Sequence, residues 1–174
     1  VPFGRFDRRQ LDILQDRLPR HFLKTEVKVA DPIEIPENSF VTWRRQFLAE
    51  EFLSCLLKIL PEEKNLRILG VTDRDLFAPG LNFVFGQAFN RVAVISTFRL
   101  RDARGSEAES GLLQLRMLKE AVHELGHTFG LEHCPIKSCV MHFSNTLLDT
   151  DFKSEHFCQE CGIKVRNRIE EESS

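Results

Sequence analysis

Between residues 123 and 161 the sequence carries two complete sets of metal ligands. The first is His123-Glu124-Leu125-Gly126-His127 followed by Gly130 and His133, and the second is Cys134, Cys139, Cys158 and Cys161. Three imidazoles leave one position of a tetrahedral zinc open to water, the pattern of a hydrolytic site. Four soft thiolates close the shell, the pattern of a structural one. The cofactor expected is therefore Zn2+, two per chain, one catalytic and one structural.

Residues four apart on a helix lie one above the other, so His123 and His127 present both rings to a single ion. Glu124 can reach a water on that ion without ligating it. Gly130 stands where a left-handed residue ends a helix and turns the chain, which returns His133 as the third ligand. Zinc lowers the pKa of a bound water from about 15.7 to about 7. Glu124 as general base takes its proton, the hydroxide attacks a peptide carbonyl polarised by the metal, and Glu124 passes the proton to the leaving amine. The expected activity is that of a zinc metallopeptidase, with aminopeptidase or endopeptidase action left open. The competing reading is a catalytically silent, zinc-stabilised protein- or peptide-binding module, but a purely structural site has no use for a carboxylate at position 124.

Two disulfides are the other use of the four clustered cysteines. Their spacing, one pair separated by four residues and one by two, in a chain without a visible secretory signal, favours metal. Cys158-Gln159-Glu160-Cys161-Gly162 is a knuckle-like half. Because Cys134 directly follows His133, the two sites share backbone, and the closed site is expected to brace the open one. Cys55, in an apolar run far from the others, reads as a small core residue.

The elements that must position these ligands follow from periodicity. Asp7 is an N-cap for a helix whose Leu11, Leu14, Leu18 and Phe22 fall at helical spacing. Thr25 to Ala30 alternates like an edge strand before Pro32 and Pro36. Asn38 or Ser39 opens a second helix with Trp43, Phe47, Leu48, Phe52, Leu56, Ile59 and Leu60 on its apolar face, up to Pro61. Leu66 to Val71 reads as a central buried strand, and Thr72 to Gly80 as a charged loop. Leu81 to Phe85 and Arg91 to Thr97 read as strands joined by a turn at Gly86 to Asn90. Ser106 and Glu109 form a capping-box signature ahead of a long helix that runs from Glu107 or Ser110 to about Thr128. Leu115, Leu118, Val122 and Leu125 supply its buried side, and Lys119 and Glu120, one turn before His123, read as a solvated ion pair or as support behind the ligands, not as catalytic groups. After Gly130 the chain is rich in Cys, His, Asp and Ser and shows little periodicity, so a metal cross-link is expected to hold its shape.

The 174 residues, 42% of them hydrophobic, can bury one sizeable core. Strands alternating with helices predict an α/β or α+β domain. The net charge of −2, from 24 basic and 26 acidic residues spread along the chain, shows no basic face for nucleic acid and no polybasic stretch for membrane. No window approaches the roughly 18 apolar residues of a membrane span, and the N-terminus is not a secretory core, so a cytoplasmic location is expected. The chain begins at Val1 rather than Met, which leaves room for a trimmed segment ahead of it.

HExxHxxGxxH followed by a methionine resembles the metzincin metallopeptidase pattern. With Cys134-x4-Cys139-x-Met141, Cys158-x2-Cys161, Leu69-Gly70-Val71-Thr72-Asp73, Asn82-Phe83-Val84-Phe85-Gly86 and Ser144-Asn145, the chain is similar over most of its length to one branch of that clan, the archaemetzincins. The resemblance implies that His123, His127 and His133 bind catalytic zinc, that Glu124 is the acid/base, and that Met141 forms a Met-turn beneath the metal. From the residues alone, Met141 reads as core packing. The fold implied is a twisted mixed β-sheet with packing helices, an upper subdomain over residues 1–130 and a lower, zinc-stabilised one over 131–174, divided by the cleft. An edge strand would bind a peptide or protein substrate in extended form, with Asn82, Phe83, Val84, Phe85 and Gly86 as its candidate residues. Other metzincins use a tyrosine near the Met-turn; this chain has none, which leaves His142, Asn145 and His156 as neighbours in sequence.

Overall fold

The computed structural model describes residues 1–101 and 107–173. Helix α1 (Arg8–Arg17) starts at Asp7, whose carboxylate accepts from the Arg9 N–H at 3.0 Å, and a single 3-10 turn, Leu18–Arg20, extends it. Leu11, Leu14, Leu18 and Phe22 are all buried, as their spacing predicts. The capping box expected at Ser106 and Glu109 lies outside the described residues.

Two small mixed sheets follow. Strands β1 (Phe40–Val41), β2 (Gln46–Leu48) and β4 (Leu76–Phe77) lie in the order β1-β2-β4, and β3 (Ile68–Thr72), β5 (Gly86–Phe89) and β6 (Val92–Ser96) in the order β3-β6-β5. β3 runs parallel to β6 and β5 antiparallel to it. Helix α2 (Ala49–Lys58) covers one face of the second sheet and α3 (Glu107–Thr128) the other. β6 serves both layers by alternation: Val92 and Val94 join Phe52, Leu53 and Leu56, while Ile95 joins Leu118 and Val122. Being buried on both faces, β6 is the central strand. β3 lies beside it, and its other edge meets residues 1–3 through a parallel bridge between Pro2 and Val71.

Several expectations are corrected. Residues 25–30 join no ladder, because the neighbouring edge is taken: the Phe3 N–H donates to Val71 O at 2.8 Å. Val27 and Val29 pack against the core instead, which is what their alternation reports. The helix expected from Asn38 or Ser39 begins only at Ala49. Before it the chain makes a β1–β2 hairpin turned by Arg45 at φ 57° and stabilised by Phe40 against Phe47, with ring centroids 4.9 Å apart. Trp43, placed on the apolar face by spacing, sits at this tip and is 81% exposed. The loop expected over Thr72 to Gly80 contains β4, paired in parallel with β2. The turn expected at Gly86 to Asn90 is itself β5, and the reversal falls at Asn90, φ 56°.

The C-terminal part is more regular than its composition predicts. α4 (Leu147–Phe152) carries a capping box between Thr146 and Asp149. α5 (Gln159–Glu172) buries Cys161, Val165 and Ile169, a stripe one residue wide at intervals of four. These residues join the same core cluster as Leu11 and Leu118, so one apolar core spans both parts of the chain. Among the described residues, no helix is long and apolar enough to cross a membrane.

Candidate metal centres

α3 ends in paired bonds from the Leu131 N–H to Gly126 O (3.2 Å) and from the Gly130 N–H to His127 O (2.9 Å), with Gly130 at φ 82°. This is a Schellman cap, in which only a residue tolerant of positive φ turns the chain without strain. It also orients a candidate ligand, since the Leu131 carbonyl meets His127 Nδ1 at 2.7 Å. On the same face, Val140 O meets His123 Nδ1 at 2.7 Å. A carbonyl only accepts, so both Nδ1 atoms carry their protons and both Nε2 atoms are bare.

Those bare Nε2 atoms lie 3.1 Å apart. Two lone pairs held this close with no proton between them repel, and a cation between them removes the repulsion. The ring of His133 stacks on that of His123 at 5.4 Å, and the nitrogens of all three residues fall within 4.8 Å of one another. Burial pushes all three imidazoles below their ordinary range, so the neutral, ligating form is favoured. The donor set thus fits zinc.

Met141 is fully buried. A Cβ on Gly126 would stand 2.4 Å from its Sδ, so the glycine lets the helix settle onto the thioether between His123 and His127. Glu124 faces the cleft, which is lined by residues 80–86, Glu120, His123 and residues 143–145 and has a volume of about 240 Å³. Burial, followed by repulsion from Glu120, raises the proton affinity of Glu124 well above that of an ordinary carboxyl. The carboxylate rests directly on Gly86, where an added Cβ would meet Glu124 Oε1 at 2.7 Å and Val94 O at 2.8 Å. Gly86→Ala should therefore displace the carboxylate and lower kcat by about tenfold or more, while zinc content at the histidines is retained. A full kcat in steady-state peptide hydrolysis would show that the contact does not matter.

Leu81 to Phe85, expected as a strand, lie outside any ladder; Asn82–Phe85 border the cleft and lead into β5 at Gly86, the edge strand of its sheet. Of the helpers suggested by proximity, Asn145 lines the cleft. His142 bonds Cys134 O at 2.8 Å through Nδ1, and His156 lies beside Glu155.

Of the two roles expected for Lys119 and Glu120, a solvated pair is ruled out, because both are buried. Lys119 donates to the carbonyls of Thr150 and Asp151, each at 2.9 Å. Glu120 pairs with Lys153 at 3.0 Å, their side chains 3% and 0% exposed, and accepts from Thr150 Oγ1 at 3.1 Å. Lys153 lies thirty-three positions away in sequence, and no local pattern links it to Glu120. Removing one partner of a buried pair costs about 3–5 kcal/mol because the other charge stays buried. Lys153→Met should lose about that much in denaturant unfolding, and Glu120→Gln added to it should restore most of the loss. An undiminished midpoint in the single variant would refute the pairing.

All five cysteines are free. The Sγ atoms of Cys134, Cys139, Cys158 and Cys161 lie within 4.8 Å of one another, and Cys134 and Cys158 are 3.8 Å apart. A tetrahedron of Zn–S bonds of about 2.3 Å has an edge of about 3.8 Å. Burial pushes the Cys139 and Cys161 thiols up. Burial acts the same way on Cys158, but hydrogen bonds, first from the Cys161 N–H, outweigh it and favour the thiolate. A divalent cation among four sulfurs overrides such preferences and takes all of them deprotonated. Cys55 is half-buried against the α2 cluster.

Residues 14–167 match peptidase family M54. The archaemetzincin of Pyrococcus furiosus is 42% identical over 176 residues, covering 97% of this chain and 92% of that protein. The crystal structure of archaemetzincin from Methanopyrus kandleri superposes with a TM-score of 0.84 at 38% identity, covering 98% of this chain and 96% of the other. A zinc-dependent peptidase from Methanocorpusculum labreanum superposes with a TM-score of 0.85 at 28% identity, over 95% and 98% of the two chains. Together with the histidine cluster at the end of α3, these likenesses define a zinc metallopeptidase of mixed α+β fold. Within that class, the chain belongs to peptidase family M54, the archaemetzincins.

Proposed function

We propose that this peptidase cleaves peptide bonds with Glu124 as acid/base, with one zinc held by His123, His127 and His133 and a second by Cys134, Cys139, Cys158 and Cys161. The observation that carries the reading is the approach of two bare Nε2 atoms to 3.1 Å, each ring pinned through Nδ1 by a backbone carbonyl. When bound, catalytic zinc supplies Lewis acidity to a water and to the scissile carbonyl. Glu124 takes a proton from the attacking water on a carboxylate oxygen and returns it to the leaving amine nitrogen. Gly86 sets the height of that carboxylate, which is itself buried beside the cleft.

In this reading residues 1–130 form the upper subdomain and 131–174 the lower one, with Met141 as the packed floor beneath the histidines. The substrate lies extended along Asn82, Phe83, Val84, Phe85 and Gly86, adding a strand at the β5 edge. Chelation should abolish hydrolysis of a mixed peptide pool, and added Zn2+ should restore it, while native mass spectrometry counts the ions retained at the two sites. Hydrolysis by metal-free protein would overturn the proposal, as would a single retained ion bound at the cysteines alone.

A further inference from the structure

Three side chains outside both zinc sites converge where the loop after α4 meets the turn that follows α1. His21 Nε2 and His156 Nε2 lie 3.6 and 3.8 Å from the same oxygen, Glu155 Oε1. The three ligand atoms fall within 4.8 Å of one another, and the imidazole centroids are 5.2 Å apart. The other carboxylate oxygen is already engaged: Arg17 Nη2 holds Oε2 at 2.5 Å, which orients Oε1 toward the two rings.

The side chain of His21 is only 2% exposed, and its Nε2 is buried without a hydrogen-bond partner among the described residues. Leaving such a nitrogen unsatisfied forfeits its hydration with nothing in return, and 3.6 Å to the carboxylate is too long for a hydrogen bond to make up the loss. An ion pair is also disfavoured, since burial pushes His21 below the ordinary imidazole range despite the opposing pull of Glu155. What remains is a neutral ring aiming a nitrogen at a carboxylate oxygen, with a second imidazole completing the group. His156 is 70% exposed and gives an ion a route from solvent to the buried donor.

We propose that His21, Glu155 and His156 form a third divalent-cation site, taking Zn2+ or a similar borderline ion such as Co2+ or Ni2+. Two imidazoles and one carboxylate suit these ions and leave positions open to water. The Arg17 charge makes the site weaker than one with four thiolates, so it loads and empties with the free ion concentration. Occupancy clips the turn after α1 to the segment leading into Cys158. The His156 carbonyl accepts from the Val140 N–H at 3.0 Å, so the same ion steadies the turn that orients His123.

The test is calorimetric titration of Zn2+ into zinc-replete full chain, with native mass spectrometry of wild type, His156→Ala, Glu155→Gln and Glu124→Gln. Wild type and Glu124→Gln should bind one more ion than the other two, whose affinity for that ion falls at least about tenfold. His156 is exposed enough that its alanine variant folds whatever happens to Glu155→Gln. Scoring the difference between variants keeps this result separate from the number of ions at the other two sites. The absence of an additional ion in wild type, or its persistence in His156→Ala and Glu155→Gln, overturns the proposal.

Discussion

Glu124→Gln should lower kcat/KM for peptide hydrolysis by about 10²–10⁴-fold and leave zinc content and melting temperature close to wild type. The amide has the same shape as the carboxylate and can keep the contact with Gly86, where Glu124 Oε1 sits 2.7 Å from the position a Cβ would take. It cannot take up a proton. The effect is large because burial, reinforced by Glu120, has raised the proton affinity of this one carboxyl within the cleft, and an acid/base group works best when its pKa lies near the operating pH. Metal content separates this outcome from trivial loss of the site, since Glu124 lies outside the proposed ligand set. If the metal-replete variant hydrolyses peptides at the wild-type rate, Glu124 is not the acid/base.

Cys158→Ser should cost both stability and the catalytic metal. Closed zinc sites bind with an apparent 10–16 kcal/mol or so, much of which is folding free energy of the segment they clamp. Losing a fifth of that, about 2–3 kcal/mol, lowers Tm by roughly 4–12 °C in a domain of this size. The effect reaches the histidines through short covalent and hydrogen-bonded links. Cys134 follows His133 in the chain, the Cys134 N–H donates to Met141 O at 2.9 Å, and neighbouring Val140 O holds His123 Nδ1 at 2.7 Å. Outer-shell losses of this kind weaken metal binding about 10–100-fold, to be read by competition with a chromophoric chelator. Cys55→Ser, far from both clusters, is the control. Normal melting together with wild-type zinc affinity at the histidines in Cys158→Ser would dissociate the two sites.

Local features were legible in the sequence where local forces decide. Asp7 caps α1 because its side chain satisfies an N–H two residues on, and α3 stops at Gly130 because the cap needs positive φ there. Where pairing partners decide, reading failed. Phe47, Leu48 and Phe52 fall at helical spacing with Trp43, yet the first two belong to a hairpin stabilised by Phe40, a long-range choice that periodicity cannot express. Gly86–Phe89 reads as a turn because of its glycine, but that glycine is required by the close approach of Glu124, not by a chain reversal. α5 was hidden because its buried stripe is one residue wide and begins at a cysteine already assigned to metal.

The sequence by itself determined the donor chemistry and the helical phase of the site. Donor identity and a spacing of four are properties of the chain alone, and they already place two imidazoles on one helix face with a carboxylate beside them. Only the tertiary structure decided which carbonyls fix the ring tautomers, how Gly86 and β6 hold Glu124 in the cleft, and that Glu120 is matched by Lys153. It also brought His21 beside Glu155 and His156. Each of these joins residues that meet only when the sheet and helices pack, so the free energy that selects them belongs to the folded core and to no local window of sequence.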